Sequence, residues 1–251
     1  MNKHVVRYDG VVSTNSLALE LGEQGARHGT VITAVHQSGG RGRKGRSFFS
    51  PPGGLYFSLI LRPVLSPDRF PLLTLAAGIA GCTIIENAAG LDVLLKWPND
   101  LYLENRKFGG ILCESAAYSF AAGIVPFVVV GIGLNINTRL AQFPPALQET
   151  VTSLFSLQKK KYDLEPIMSA ITGQILGYVD EPEQMHEVIL DAWRQRDYLR
   201  GRELQWRGPE SPVIRGEGAG LLSDGRYALR TAAGELVPVL GGELDILDTG
   251  G

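Results

Sequence analysis

Apolar positions along the chain follow two rhythms, one of period two and one near 3.6, and their alternation outlines the fold. Residues 5–8 (Val-Val-Arg-Tyr) read as a strand. Ser13, Thr14 and Asn15 then offer capping side chains to a helix opened by Ser16-Leu17-Ala18-Leu19. Residues 30–35 form a β-rich run, a glycine-rich basic loop spans residues 37–54, and residues 55–61 read as a buried strand. Residues 70–87 suit a long helix with Leu72, Leu75, Ile79 and Thr83 near one face. Strand signals follow at residues 93–95, 101–103, 111–112 and 125–130. Between them lie the turn formers Pro98-Asn99-Asp100, Asn105-Arg106-Lys107 and Gly109-Gly110. Residues 164–179 and 185–198 read as two helices. Such an order predicts an α+β fold, a mixed sheet with helices against one face, over residues 1–200. From Gly201 the texture changes: short β-type runs at 203–206, 220–222, 227–229 and 236–240 alternate with tight turns. Residues 201–251 therefore predict a separate small β-barrel.

Charge narrows the function more than composition does. The 24 basic and 26 acidic residues leave a net charge of -2, so no global field draws the chain to nucleic acid or anionic lipid, and any anion site must be local. Cys82 and Cys113 each sit in an apolar context without a Cys or His at metal-ligand spacing, which fits burial in a reducing compartment. The opening MNKHVVRYDG has no apolar signal core. The uncharged stretch 120–136 is broken by Gly123, Pro126, Gly131 and Gly133, and is shorter than the ~20 residues a spanning helix needs. A cytoplasmic protein with no membrane segment is expected.

The local anion site is Gly39-Gly40-Arg41-Gly42-Arg43-Lys44-Gly45-Arg46-Ser47, with four cations and four glycines between Gly39 and Arg46. Glycine lets backbone amides approach an oxyanion, and guanidinium forks grip phosphate or carboxylate. The letters match both a dinucleotide-binding motif and, nearly, a P-loop. Both need a helix directly after the loop, which Pro51, Pro52, Gly53 and Gly54 deny. A mobile anion-gripping loop between two strands is the remaining reading. Three further constellations stand out. Lys96-Trp97-Pro98-Asn99-Asp100 packs a cation, an aromatic plate and polar acceptors at a strand end. Lys107-Phe108-Gly109-Gly110-Ile111-Leu112 sets a lysine beside a glycine pair. Gly131-Ile132-Gly133-Leu134-Asn135 closes an apolar strand with glycines, which suits close approach to a ligand.

In this order, Ser13-Thr14-Asn15, Gln37, the basic loop and these three segments resemble the biotin–protein ligases, over nearly the whole chain. The resemblance implies a catalytic domain of the class II aminoacyl-tRNA-synthetase/biotin-ligase type followed by an SH3-like barrel. It also implies two reactions: biotin carboxylate attacks ATP, with Mg²⁺, to form biotinyl-5'-AMP, and a lysine of a biotin carboxyl carrier protein then takes the biotin. By that resemblance Lys107, Arg43 and Asp100 carry the chemistry. Ser13, Thr14, Asn15, Gln37, Arg41, Gly42, Arg43 and Lys107 hold biotin, with Gly131 and Gly133 leaving it room. Arg41, Arg43, Lys44, Arg46, Phe48, Trp97, Asn99 and Asn135 line the ATP side, while the metal ligands and a homodimer are left open.

Two departures matter. The family often carries Trp after the basic loop, where this chain has Phe48. Some relatives carry an N-terminal DNA-binding domain, for which Ser13 leaves no space, so no specific DNA binding is expected. A lipoate or octanoate ligase or transferase of related fold is the nearest rival, and a noncatalytic biotin-responsive module is the rival of another class. The pairing of the basic loop with Lys-Trp-Pro-Asn-Asp favours biotin, and retention of Lys107 favours catalysis.

Overall fold

The computed structural model describes residues 4–62, 70–115, 126–208 and 212–247. Strand β1 (Val5–Val11) leads through helix α1 (Thr14–Glu23) into β2 (Thr30–Gln37), and the crossing helix makes this pair parallel. Strands β3 (Leu55–Leu61), β4 (Leu94–Lys96), β5 (Asp100–Leu103), β6 (Arg106–Ser115) and β7 (Val128–Leu134) pair antiparallel, completing a mixed sheet in the order β1-β2-β3-β7-β6-β5-β4.

The pleat divides two cores. Val31 of β2 and Leu59 of β3 face the larger one, beneath α2 (Phe70–Ala89) and α5 (Leu164–Asp180). Ile32, Ile60 and Val129 face a smaller one under α1. Helices thus cover both faces rather than the single face expected. The period-two pattern could not reveal this, because β3 is buried on both sides and reads as a continuous apolar run. By length and composition α2 is the one described helix able to cross a bilayer. Here Leu73, Leu75, Ala76, Ile79 and Ile85 are buried in the larger core, and α2 packs against α5 and α6 (Pro182–Arg194). Burial pushes the thiol of Cys82, on α2, far up and that of Cys113 to about 11, so neither is a thiolate at neutral pH.

Two short helices, α3 (Pro145–Gln148) and α4 (Leu154–Gln158), lie beyond the sequence expectations. Strands β8 (Glu203–Arg207), β9 (Ile214–Leu221), β10 (Tyr227–Arg230), β11 (Leu236–Val239) and β12 (Glu243–Ile246) form an antiparallel sheet in the order β11-β10-β9-β8-β12. This sheet is not insulated from the first. Leu204, Trp206, Tyr227 and Leu244 belong to the same core as Trp97 and Trp193. Trp97 Nε1 donates to the Gly225 carbonyl at 3.3 Å, and the Tyr227 hydroxyl donates to Asp197 Oδ2 at 2.9 Å.

Candidate functional site

Strand register builds the site. On the α1 face of the sheet, Ser58 of β3 pairs with Gly131 of β7, which pairs with Leu112 of β6; one row along lie Tyr56, Gly133 and Gly110. Three glycines in adjacent rows leave a depression in an otherwise filled surface, and Gly110 pairs on to Asp100 at the start of β5. Both turn residues Glu104 and Asn105 take positive φ, 47° and 61°, which closes a tight β5–β6 hairpin. Lys107 therefore lies inside β6, not in the turn expected for it, and its Nζ meets Asp100 Oδ2 at 2.8 Å.

The α1 start supplies one wall. Ser13 is the N-cap, accepting from Ser16 N at 3.4 Å. Thr14 donates its backbone N–H and its hydroxyl to Gln37 Oε1, at 2.8 and 3.1 Å, and Gln37 Nε2 donates to Ser50. Asn15 Nδ2 donates to the Leu112 carbonyl and to Glu114 Oε2, at 3.1 and 3.0 Å, and Ser58 Oγ lies 2.6 Å from Asn15 Oδ1. The other wall is the basic loop. It folds back as a hairpin, Gly42 N to Arg46 O at 2.7 Å and Phe48 N to Gly40 O at 2.8 Å, around a 3-10 turn at Arg43–Gly45. Lys44 and Gly45 both take positive φ at its tip. No helix follows, consistent with rejecting the P-loop and dinucleotide readings.

These walls enclose a cavity of ≈ 190 Å³. Of the residues singled out from sequence, Ser13, Thr14, Asn15, Gln37, Arg41, Gly42, Arg43, Arg46, Phe48, Asn99, Asp100, Lys107, Gly131 and Gly133 line it. Three do not. Lys44 points outward from the turn. Trp97 is buried at the seam with the second sheet and borders a separate cavity of ≈ 260 Å³. Asn135 is buried beneath the β5–β6 hairpin, its Nδ2 donating to the Thr152 carbonyl.

Gly131 and Gly133 both line the cavity, and a larger residue would collide with its wall: a Cβ on Gly131 would fall 1.9 Å from Asn15 Oδ1, and one on Gly133 2.5 Å from the Phe48 ring. Sequence reasoning missed Ser58, although it is the lone polar residue of β3, and it missed Glu114 and Glu243, whose partners lie far away along the chain.

The cations are unequally free. Arg41 is paired with Glu114 at 2.8 Å, Arg46 with Glu243 at 3.3 Å and Lys107 with Asp100. Among the described residues Arg43 has no carboxylate in ion-pair reach. Its guanidinium contacts Asn99 Oδ1 at 3.5 Å, and burial, then the neighbouring Arg46, lowers its pKa. Arg43 is therefore the cavity cation best able to take up an anion without breaking an ion pair, whereas Lys107 already faces Asp100. Phe48 stands over the same point, its ring centroid 6.0 Å from Lys107 Nζ.

Residues 10–135, which include the α1 wall, the basic loop and the Lys107 strand, match the Biotin/lipoate A/B protein ligase family. The chain belongs to that family. The bifunctional ligase/repressor BirA of Bacillus subtilis is 38% identical over 68% of this chain and 52% of its own length, so the chain spans about half of that relative. The biotin--[acetyl-CoA-carboxylase] ligase of Mycobacterium tuberculosis is 29% identical over 92% of this chain and 85% of its own. Among solved structures, biotin protein ligase from Aquifex aeolicus in complex with biotin and ATP superposes with a TM-score of 0.81. It shares 28% identity and covers 98% of this chain and 99% of that one.

Proposed function

We propose that the chain is an ATP-dependent biotin–protein ligase that makes biotinyl-5'-AMP and passes biotin to a lysine of a biotin carboxyl carrier protein. The observation that carries this reading is the Lys107–Asp100 pair in the lining of a cavity that also holds Arg43, a cation with no carboxylate in ion-pair reach among the described residues. A carboxylate and a triphosphate repel each other, and a fixed ammonium and guanidinium at their meeting point offset that repulsion without reorganising. The carboxylate oxygen bonds to the α-phosphorus, the bond to the β-phosphate breaks, and pyrophosphate leaves. The carrier lysine then attacks the acyl carbon, AMP departs, and Asp100 takes the amine's proton in this reading.

Ser13, Thr14 and Gln37 form the biotin end. Asn99, Phe48, Arg43 and Arg46 form the nucleotide end, with Asn15 acting as a bracket rather than a ligand. The nucleotide enters as its Mg²⁺ salt. Among the described residues no group of three or more His, Cys, Asp or Glu side chains could hold a metal alone, which suits an ion carried mainly by phosphate oxygens. The five-stranded sheet, in which the last strand returns to pair with the first, supports an SH3-like second domain over residues 201–251. Two unpaired cysteines support a cytoplasmic setting.

Biotin is preferred to lipoate because the Aquifex neighbour is a complex with biotin and ATP. The test is incubation with MgATP, a carrier domain and either labelled biotin or labelled lipoate. Labelled carrier and released pyrophosphate are expected with biotin. Transfer of lipoate alone overturns the substrate, and biotin binding without pyrophosphate release overturns catalysis.

A further inference from the structure

Asp100 has a lysine on each flank, and only one of them lines the cavity. Lys107, from β6, brings Nζ to 2.8 Å from Oδ2. On the other side Lys96 of β4 pairs in register with Asp100 across the Trp97-Pro98-Asn99 turn, so the two side chains share one face of the sheet, yet Lys96 stays outside the cavity lining. Lys96 is partly buried, and among the described residues it has no carboxylate in ion-pair reach. Its ammonium stands 5.9 Å from the centre of the Tyr102 ring instead. That ring stacks on Tyr198 with centroids 4.5 Å apart, and the Arg202 guanidinium lies 4.2 Å from the centre of Tyr198. Lys96 is thus braced beside Asp100 without closing on it.

The charges around the pair are few. Burial disfavours the Lys96 ammonium; Asp100 and then Asp245 of β12 favour it, against Lys107 and Arg46. Asp100 faces Lys96, Lys107, Arg43 of the basic loop and the Tyr102 hydroxyl on its own strand. In the reaction proposed above, the Lys107 ammonium is shared between Asp100 and two substrate anions. A carboxylate left with part of one cation takes up a proton more readily, and a protonated Asp100 cannot accept one from the carrier amine.

We propose that Lys96 is a positioning residue for the transfer step: from behind Asp100 it supplies the second positive charge that keeps this carboxylate ionised and the arriving carrier lysine neutral, while Lys107 faces the acyl phosphate. The role rests on the function proposed above. In that step the amine nitrogen bonds to the acyl carbon, its proton passes to Asp100, and the bond from acyl carbon to phosphate oxygen breaks as AMP leaves.

The experiment follows a single turnover from preformed biotinyl-5'-AMP to a carrier domain, using the whole chain from about pH 5 to pH 9. Lys96→Met and Lys96→Gln remove the charge and keep a stem against Tyr102, with Gln standing in if Met fails to fold; Lys96→Arg keeps the charge. Removing a nearby positive charge makes both Asp100 and the incoming amine hold their protons to a higher pH, so the sign is the same whichever group sets the limb. The acid limb should move up by roughly half to one pH unit in Met and Gln, an about three- to tenfold loss at a pH on the limb, and return towards wild type in Arg. A rate lowered by the same factor at every pH, with the limb unmoved, is the pattern of disturbed packing and overturns the proposal. So does an Arg variant that shifts as far as Met and Gln. Wild-type protein that forms no adenylate from MgATP and biotin removes the function and this role with it, whereas wild-type transfer with unmoved variants removes the role alone.

Discussion

Gly131→Ala puts the most weight on the site geometry. The added Cβ would lie 1.9 Å from Asn15 Oδ1, 2.6 Å from its Cγ and 2.9 Å from its Nδ2, all well inside van der Waals contact. Asn15 has nowhere to retreat, because its amide is held by Leu112, Glu114 and Ser58. Moving it breaks or stretches three hydrogen bonds, at about 0.5–1.5 kcal/mol each. Alanine recovers roughly 0.5–1 kcal/mol of backbone entropy in a strand. The net loss is therefore roughly 0.5–4 kcal/mol, divided between fold stability and affinity for biotin. Loss on the binding side alone would weaken biotin by somewhere between about twofold and several hundredfold, at about 1.4 kcal/mol per decade. Calorimetric titration with biotin and urea unfolding measure the two shares, and their sum should fall in that range. Ser58→Ala, which removes the hydroxyl's contacts with Asn15 Oδ1 and Thr14 Oγ1 and adds no bulk, should lose about 1–3 kcal/mol by the same pair of assays. Wild-type affinity together with wild-type stability in Gly131→Ala would show that Asn15 is not the bracket described.

Three other outcomes are expected. Lys107→Ala removes the ammonium at the reacting centre and leaves Asp100 facing two anions. A loss of roughly 2–4 kcal/mol of transition-state stabilisation should cut pyrophosphate release at saturating biotin by about 30- to 1,000-fold, and near-normal turnover would demote Lys107 to a surface charge. Arg43→Gly removes the unneutralised guanidinium but not Lys107. Adenylate should still form, yet leave roughly ten- to a hundredfold faster for a clasp of about 1.5–3 kcal/mol; a chase of labelled adenylate decides this, and an unchanged release rate shows that Arg43 does not grip the phosphate. Burial pushes the Asp197 carboxyl, held by Leu199 N and the Tyr227 hydroxyl, from 3.8 to about 6. Between those values the folded protein keeps a proton that the unfolded chain has given up, so stability falls by ~3 kcal/mol as pH rises through the window and is flat above it. Asp197→Asn should abolish that slope in urea unfolding from pH 4 to 7, and a wild-type slope in the variant refutes the assignment.

The legible parts of this molecule were those written locally. Ser13 caps α1 because a small oxygen at a helix start needs only its next three residues, and the seven-residue apolar run of β3 is visible as a run. Gly109 and Gly110 read as a break, yet β6 continues through them, because ladder bonds on both sides hold glycines extended where neighbours crowd them. Trp97 reads as an aromatic plate at a strand end, and by resemblance as part of the nucleotide side, but its indole hydrogen-bonds Gly225, which lies 128 residues on and outside any local motif. The Arg41–Glu114 and Arg46–Glu243 pairs were illegible for the same reason: charge shows in a sequence, but the closing of long loops does not.

The seam at Trp97 has a consequence for anyone recombining this protein with its relatives. The indole that anchors the second sheet lies two residues before Asn99 and three before Asp100, on the same short connection. A transplanted tail would therefore not be a passive appendage. Unless it brought a turn carbonyl to the position of Gly225 and a ring to that of Tyr227, 6.0 Å from the indole, the graft would shift Asn99 and Asp100 in the cavity lining from behind. Chimeras should be cut so that Trp97 and its acceptor come from the same parent.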